Sequence, residues 1–299
     1  MTPVVHRFQA MASACAIHIE ADTGAAAIAL AAEAEIRRIE ARYSRYRADS
    51  ELARINQAAA VGDTVDVDAE TAGLIAFAQG CHRASAGTFD ITSGVLRRAW
   101  DFTQGRLPEA GAVAALLPLI GLDKVTLGDG RLSFAQEGLE LDFGGLGKEY
   151  ACDRAAEICS EMGAAGGFVD LGGDIRVIGP QRSGDAWRIG VRHPRDAAAV
   201  LAEIPLAEGA LATSGDYERF VEVDGMRYCH ILDPRSGWPA QGLSSVTVLA
   251  PRCLVAGSLA TMAMLKGRDG IAWLQGLGVR HIVVDAEGRC SGTEPLLAQ

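Results

Sequence analysis

The stretch CLVAGSLATMAMLK, residues 253–266, has no charge before its final lysine and no polar face. Wound as a helix it is apolar or small almost all round, so every side of it must be covered by protein. The flanking segments SVTVLA (245–250) and 280–285 have the composition of strands. A buried helix beside strands defines the fold class: α+β, a largely antiparallel sheet core with helices packed on it.

The rest of the chain fits that plan. A first strand is predicted over 14–20. A helix follows over 25–43, with Ile28, Ile36, Ile39 and Tyr43 on one stripe. Asp49-Ser50-Glu51 opens a short loop or turn leading to Asn56. An amphipathic helix covers 68–84, GTFDITSG (87–94) is a tight polar loop, and a helix covers 109–117. From 124 the pattern turns to strands: KVTL, RLSF and LELDF, with Gly128-Asp129-Gly130 as a turn. GGLGKEYACDRAAEICSEMG (144–163) starts glycine-rich and becomes a helix. FVDLGGDIRVIG (168–179) is strand, glycine break, strand, and WRIGVRHP is another strand. Residues 269–277 and the strand 280–285 close the fold. With no repeat, linker or composition break, residues 1–299 are expected to form one domain.

The richest chemistry lies in TSGDYERFVEVDGMRYCHILDPRSGWP, residues 213–239. It is predicted as a β-hairpin with Asp224-Gly225 as its two-residue turn and strands at 217–222 and 227–232. Thr213, Ser214 and Gly215 are expected to make a turn at its open end, near His230 and Asp233. The second signal is LDFGGLGKEYACD. Gly144, Gly145 and Gly147 let backbone approach a ligand, and the helix start that follows favours an anion. Lys148 in that first turn can reach a phosphate. Neither the P-loop nor the dinucleotide-binding glycine pattern is present. Asp142 is a candidate metal-side or ribose-side carboxylate. Phe89 and Asp90 lie on the 87–94 loop, the ring available for stacking. The Asp170–Asp174 pair around Gly172-Gly173 has the composition of a turn.

The net charge of -10 argues against a nucleic-acid partner, so an anionic ligand must be met by local cations, N–H groups or a metal. The 7 cysteines contain no Cys-x-x-Cys, which points to reduced thiols rather than zinc or disulfides. No run approaches the roughly 18 apolar residues of a membrane span. The amino-terminal segment lacks the pattern of a signal peptide. The expected location is cytoplasmic, or periplasmic if an export signal has been removed.

Taken in order, these segments resemble the ApbE family of FAD:protein FMN transferases. MAS at 11–13 is similar to its Met-Gly-Thr, YSRYRADSELARIN to its Ser-x-Tyr…Ser-Glu…Asn, and GTFDITSGVL to its Gly-x-Phe-Asp segment. LDFGGLGKEYACD is similar to its Asp-x-Gly-x-x-Lys-Gly segment. VDLGGDIRVIG, TSGDYERF and HILDPRSGWPA also match. The seven matches are collinear from Met11 to about Gly267.

The resemblance implies a T-fold-related architecture and a function: transfer of FMN from FAD to a Thr or Ser hydroxyl of an acceptor flavoprotein. AMP is released and Mg²⁺ is required. It further implies that Met11, Tyr46, Thr88, Phe89, Asp90, Asp142, Lys148, Ser214 and Gly215 bind FAD. His230 would be the catalytic base, and Gly145 (through its carbonyl) and Thr261 would hold the metal. One departure stands out. The family's metal site uses an aspartate and a threonine four residues apart on a late helix. Here Thr261 is present, but Gly257 occupies the aspartate position and has no side chain to ligate. Ser258 points about 100° away around the helix. Ala12 replaces a family glycine. Glu149 replaces the glycine after the lysine and is a candidate carboxylate near the phosphates. Two other activities stay open: FAD binding with little or no transfer, which Gly257 supports, and hydrolysis of FAD to FMN and AMP, with water in place of the protein hydroxyl. Gly257→Asp, assayed with and without Mg²⁺, asks whether the missing carboxylate cripples the site.

Overall fold

The computed structural model describes residues 4–297. Strands β1 (Val4–Ala10) and β2 (Ser13–Glu20) form a hairpin, followed by α1 (Ala25–Tyr43), α2 (Glu51–Ala60), β3 (Thr64–Asp66) and α3 (Ala69–Ala84). A 3-10 helix (Ile91–Arg98) and α4 (Ala110–Leu116) lead to β4 (Val125–Gly128) and β5 (Arg131–Phe134). Next come α5 (Gly147–Glu161), β6 (Gly166–Leu171), β7 (Asp174–Gly179), β8 (Trp187–Arg192), β9 (Val200–Leu206) and β10 (Ala210–Gly215). The chain ends with β11 (Phe220–Val223), β12 (Met226–Cys229), β13 (Leu243–Ala250), α6 (Cys253–Lys266), α7 (Asp269–Leu277), β14 (Arg280–Asp285) and β15 (Cys290–Gly292).

Eight strands form the main sheet in the order β1-β2-β6-β7-β10-β13-β14-β15, each pair antiparallel. Both faces of its centre are covered. Ala210, Ala212, Val246, Val248 and Val283 pack with the helices, whereas Leu211, Leu249, Ile282 and Val284 face the β8–β9 hairpin. Two-sided burial is plain along β13, LSSVTVLA, where every residue but the last is buried. Helix α6 lies against β10 and β13, as its all-round apolar sequence requires. Among the described residues no helix is long and apolar enough to cross a membrane.

Several sequence expectations are corrected. LELDF is not a strand, although Leu139, Leu141 and Phe143 alternate into the core. The Asn56 side chain takes the place of a strand neighbour. Its Oδ1 accepts from Leu141 N at 2.7 Å and its Nδ2 donates to Leu141 O at 2.9 Å. The expected turn at 49–56 is the start of α2, whose N-cap Ser50 Oγ accepts from Ala53 N. The second half of the expected 87–94 loop is the 3-10 helix, capped by Asp90. Thr213, Ser214 and Gly215 form no turn; they are the end of β10, paired with Thr247, Val246 and Ser245 of β13. The Asp224-Gly225 turn stands, both residues at positive φ, but its strands are shorter than expected. Strands β1, β9 and β15 were not anticipated; Pro205 interrupts the β9 signal.

Candidate active site

Side-chain alternation along β10 sends Ser214 to the same face as Ala210 and Ala212, towards α6. There Ser214 Oγ and Thr261 Oγ1 share a hydrogen bond of 2.9 Å. Thr213 points the other way and pairs with Thr247 at 2.8 Å. On β7 the same rule turns Ile175 and Val177 towards the β8–β9 side and Asp174 and Arg176 towards the helices.

Helices α5 and α6 are tied by one buried carboxylate. Asp153 of α5 accepts from Cys253 N at 2.8 Å and Leu254 N at 3.0 Å, capping a helix whose own N-cap residue supplies no side-chain bond. Arg176 Nε lies 3.3 Å from the same group. The cap fixes the first turn of α6 and, through it, the facing positions Glu149 and Gly257.

Lys148 Nζ sits 2.6 Å from Asp174 Oδ2. Asp174 is only 2% exposed, and its other oxygen accepts from Thr213 N at 3.2 Å. Burial works against the Lys148 charge, but Asp174 and Glu149 hold its pKa above the ordinary lysine value. The turn after β1 comes alongside: a Cβ on Gly172 would lie 2.7 Å from Ser13 Cβ and 3.9 Å from Lys148 Nζ. At φ +65 and that spacing, only glycine fits. Asp174 looked like a turn residue in sequence. The VDLGGD pattern places it correctly after the Gly172-Gly173 turn; its reach to Lys148 depends on α5 crossing β7.

Glu149 is 6% exposed and faces Gly257. A Cβ built on Gly257 would fall 2.5 Å from Glu149 Cγ and 2.8 Å from Oε1. Burial, then the Asp174 charge, pushes the Glu149 carboxyl up to about 7, with Lys148 opposing. Ser258 does not substitute for the missing aspartate, because its hydroxyl donates to Leu254 O at 2.7 Å within the helix. Among the described residues no group of three or more His, Cys, Asp or Glu is placed to hold a metal ion. A Mg²⁺ site of one carboxylate, a hydroxyl, a carbonyl and substrate phosphates needs no such group.

His230 follows β12 and is exposed at the surface. Its Nδ1 lies 3.3 Å from Arg219 O. A carbonyl only accepts, so Nδ1 carries the proton and Nε2 is free to act as a base. Although one edge of the ring is open to solvent, lost hydration lowers its pKa; the hydrogen bond to the Arg219 carbonyl opposes this, the Arg219 and Lys148 charges add to it, and Glu218 opposes it. The loop that follows is tied down: Trp100 Nε1 donates to Gly237 O at 2.8 Å, and Gly237 has φ +72 with Val113 2.4 Å from a built Cβ.

The remaining predicted residues divide. Met11 and Ala12 both have positive φ, forming the two-residue turn of the β1–β2 hairpin, and Met11 N donates to Glu40. Gly215 is required by the Tyr217 ring, 2.2 Å from a built Cβ. Thr88, Phe89 and Asp90 are buried. Phe89 lies beneath Gly145, so its faces are not open for stacking here. Asp90 accepts from Thr92 N, Thr92 Oγ1 and Leu122 N. Asp142 does not meet Lys148. It pairs with Arg45 Nη1 at 2.7 Å and Arg97 Nε at 3.3 Å, two cations that sequence reasoning passed over. Tyr46 is 79% exposed, with the Arg45 guanidinium 4.8 Å from its ring centre.

A glycine-bordered helix start, a half-buried lysine, two facing hydroxyls and an imidazole with Nε2 open make a candidate site for a phosphate-bearing ligand. The ApbE family model matches residues 11–283, and the chain belongs to that family. The FAD:protein FMN transferase of Haemophilus influenzae is 33% identical over 248 residues, 79% of this chain and 72% of that protein. The ApbE protein of Thermotoga maritima superposes with a TM-score of 0.91 at 33% identity, covering 98% of this chain and 97% of that one. The flavinyl transferase ApbE of Pseudomonas stutzeri gives 0.86 at 29% identity, covering 98% and 96%.

Proposed function

We propose that this chain transfers FMN from FAD to a Ser or Thr hydroxyl of an acceptor flavoprotein, releasing AMP. The observation that carries this reading is the Lys148–Asp174 pair, its carboxylate buried, beside Ser214 and Thr261. Nε2 of His230 takes the proton from the acceptor hydroxyl. The hydroxyl oxygen then bonds to the FMN-side phosphorus, and the bond from that phosphorus to the bridging oxygen breaks. AMP leaves with that oxygen. Lys148 offsets phosphate charge at a position Asp174 fixes, so little reorganisation is needed. A Mg²⁺ ion held by Thr261 and the Gly145 carbonyl would supply further charge neutralisation at the pyrophosphate.

The test is incubation with FAD, Mg²⁺ and a flavoprotein acceptor, following AMP release and in-gel flavin fluorescence. Covalent flavin on the acceptor with matching AMP is expected. AMP without acceptor would mark a hydrolase, and bound FAD with neither product a binding protein.

His230→Gln should lower transfer by about 10²–10⁴-fold with FAD affinity retained, read by single-turnover kinetics and flavin fluorescence. Because the His230 pKa is depressed, the imidazole is neutral at pH 7. Activity should therefore be level there and fall only as pH drops through that lowered value, below the ordinary histidine range. His230→Gln should abolish that acid limb.

A further inference from the structure

We propose that Glu149 is a ligand of the divalent cation, its carboxylate supplied from α5 where the late-helix position, Gly257 of α6, has none. This rests on the transferase reading above, and the observations that carry it are geometric. The Gly257 Cβ position lies 2.5 Å from Glu149 Cγ, 2.8 Å from Oε1 and 3.0 Å from Cδ. The carboxyl of Glu149 thus fills the space a side chain at 257 would enter. Thr261 follows Gly257 by one turn on the same face of α6, with its hydroxyl on Ser214. The two helices exchange side chains: the longer glutamate reaches across from α5, and glycine on α6 makes room for it.

A second observation points to a ligand. Glu149 Oε2 is one of three buried side-chain polar atoms without a hydrogen-bond partner among the described residues. A buried carboxylate oxygen with no donor is costly unless something else satisfies it. Asp153, one turn further along the helix, shows the contrast, since both of its oxygens accept backbone N–H groups. A hard cation such as Mg²⁺ or Mn²⁺ takes an anionic oxygen of this kind together with a hydroxyl and a carbonyl. Glu149 also opposes the Lys148 charge. A metal located on the Glu149 oxygens separates ligation from charge balance, which also affects cation affinity through its field.

Mn²⁺ is the probe, titrated into the full-length chain with FAD present, with free Mn²⁺ followed by electron paramagnetic resonance. Glu149→Gln keeps the shape and should weaken Mn²⁺ binding by at least about tenfold. The exchange variant Glu149→Gly/Gly257→Asp should recover affinity to within about threefold of the native chain, because the carboxylate returns to the same space from the other helix. Native affinity in Glu149→Gln, or no Mn²⁺ binding by the native chain, would overturn the proposal. So would an exchange variant that folds but does not bind. If the exchange variant fails to fold, Glu149→Gln decides alone. Mn²⁺ binding that depends on Glu149 without covalent flavin transfer would refute the transferase reading only. Mg²⁺-dependent transfer with unchanged Mn²⁺ affinity in Glu149→Gln would refute the ligand only.

Discussion

Replacing Lys148 by Met is expected to damage both stability and activity, by separable routes. Asp174 is buried and would be left with the Thr213 N–H as its remaining partner among the described residues. Breaking a buried ion pair by removing one partner costs about 3–5 kcal/mol. Chemical denaturation should show a loss of that order. Turnover of FAD should fall by about 10²–10³-fold, the usual effect of removing one preorganised charge from the transition state. The double variant Lys148→Met/Asp174→Asn removes the stranded charge. It should regain most of the stability and none of the activity. Recovery of turnover in the double variant would show that Lys148 acts only by holding the fold.

Gly257→Asp is expected to be harmful, not restorative. From sequence it adds back a missing ligand. In the structure its Cβ would meet Glu149 Cγ at 2.5 Å, in a place where both residues are buried. Overpacking of this kind costs about 1–3 kcal/mol. A second buried carboxylate beside Glu149 and Asp174 adds to that, opposed only by Lys148. The gain in helix propensity from removing glycine is below about 0.5 kcal/mol and does not offset it. Denaturation should therefore show a loss of about 3 kcal/mol or more. In a Glu149→Gly background the same substitution should be tolerated to within about 1 kcal/mol, because the exchange roughly conserves volume. A stable, more active Gly257→Asp single variant would contradict the packing described above.

Much of this was legible in the chain itself. Helices α1 and α6 begin and end where the apolar stripe and the all-round apolar run place them. The largely antiparallel sheet with helices packed on it was expected from the succession of strand and helix patterns. What failed was whatever depended on a partner distant in sequence. LELDF alternates like a strand, but its backbone is met by the Asn56 side chain, 85 residues earlier. Thr213-Ser214-Gly215 has the composition of a turn but lies in the sheet, paired with β13; Gly215 is glycine because the Tyr217 ring crowds its Cβ position.

At the site, Lys148, Ser214, Thr261 and His230 could be named one at a time. The Asp174 partnership and the Arg45–Asp142–Arg97 cluster could not, since they join segments far apart in the chain. Gly257 and Glu149 were each visible as departures from the family pattern. Their compensation appears only when α5 and α6 lie side by side.

The most direct measurement of that compensation is a crystal structure of the native chain with FAD and Mn²⁺, with the metal located by anomalous scattering. The expected peak lies within about 2.0–2.4 Å of a Glu149 carboxylate oxygen, with the Thr261 hydroxyl in the same coordination shell. A metal bound elsewhere, with the Glu149 carboxyl still packed against Gly257 and unligated, would contradict the exchange of the carboxylate between the two helices.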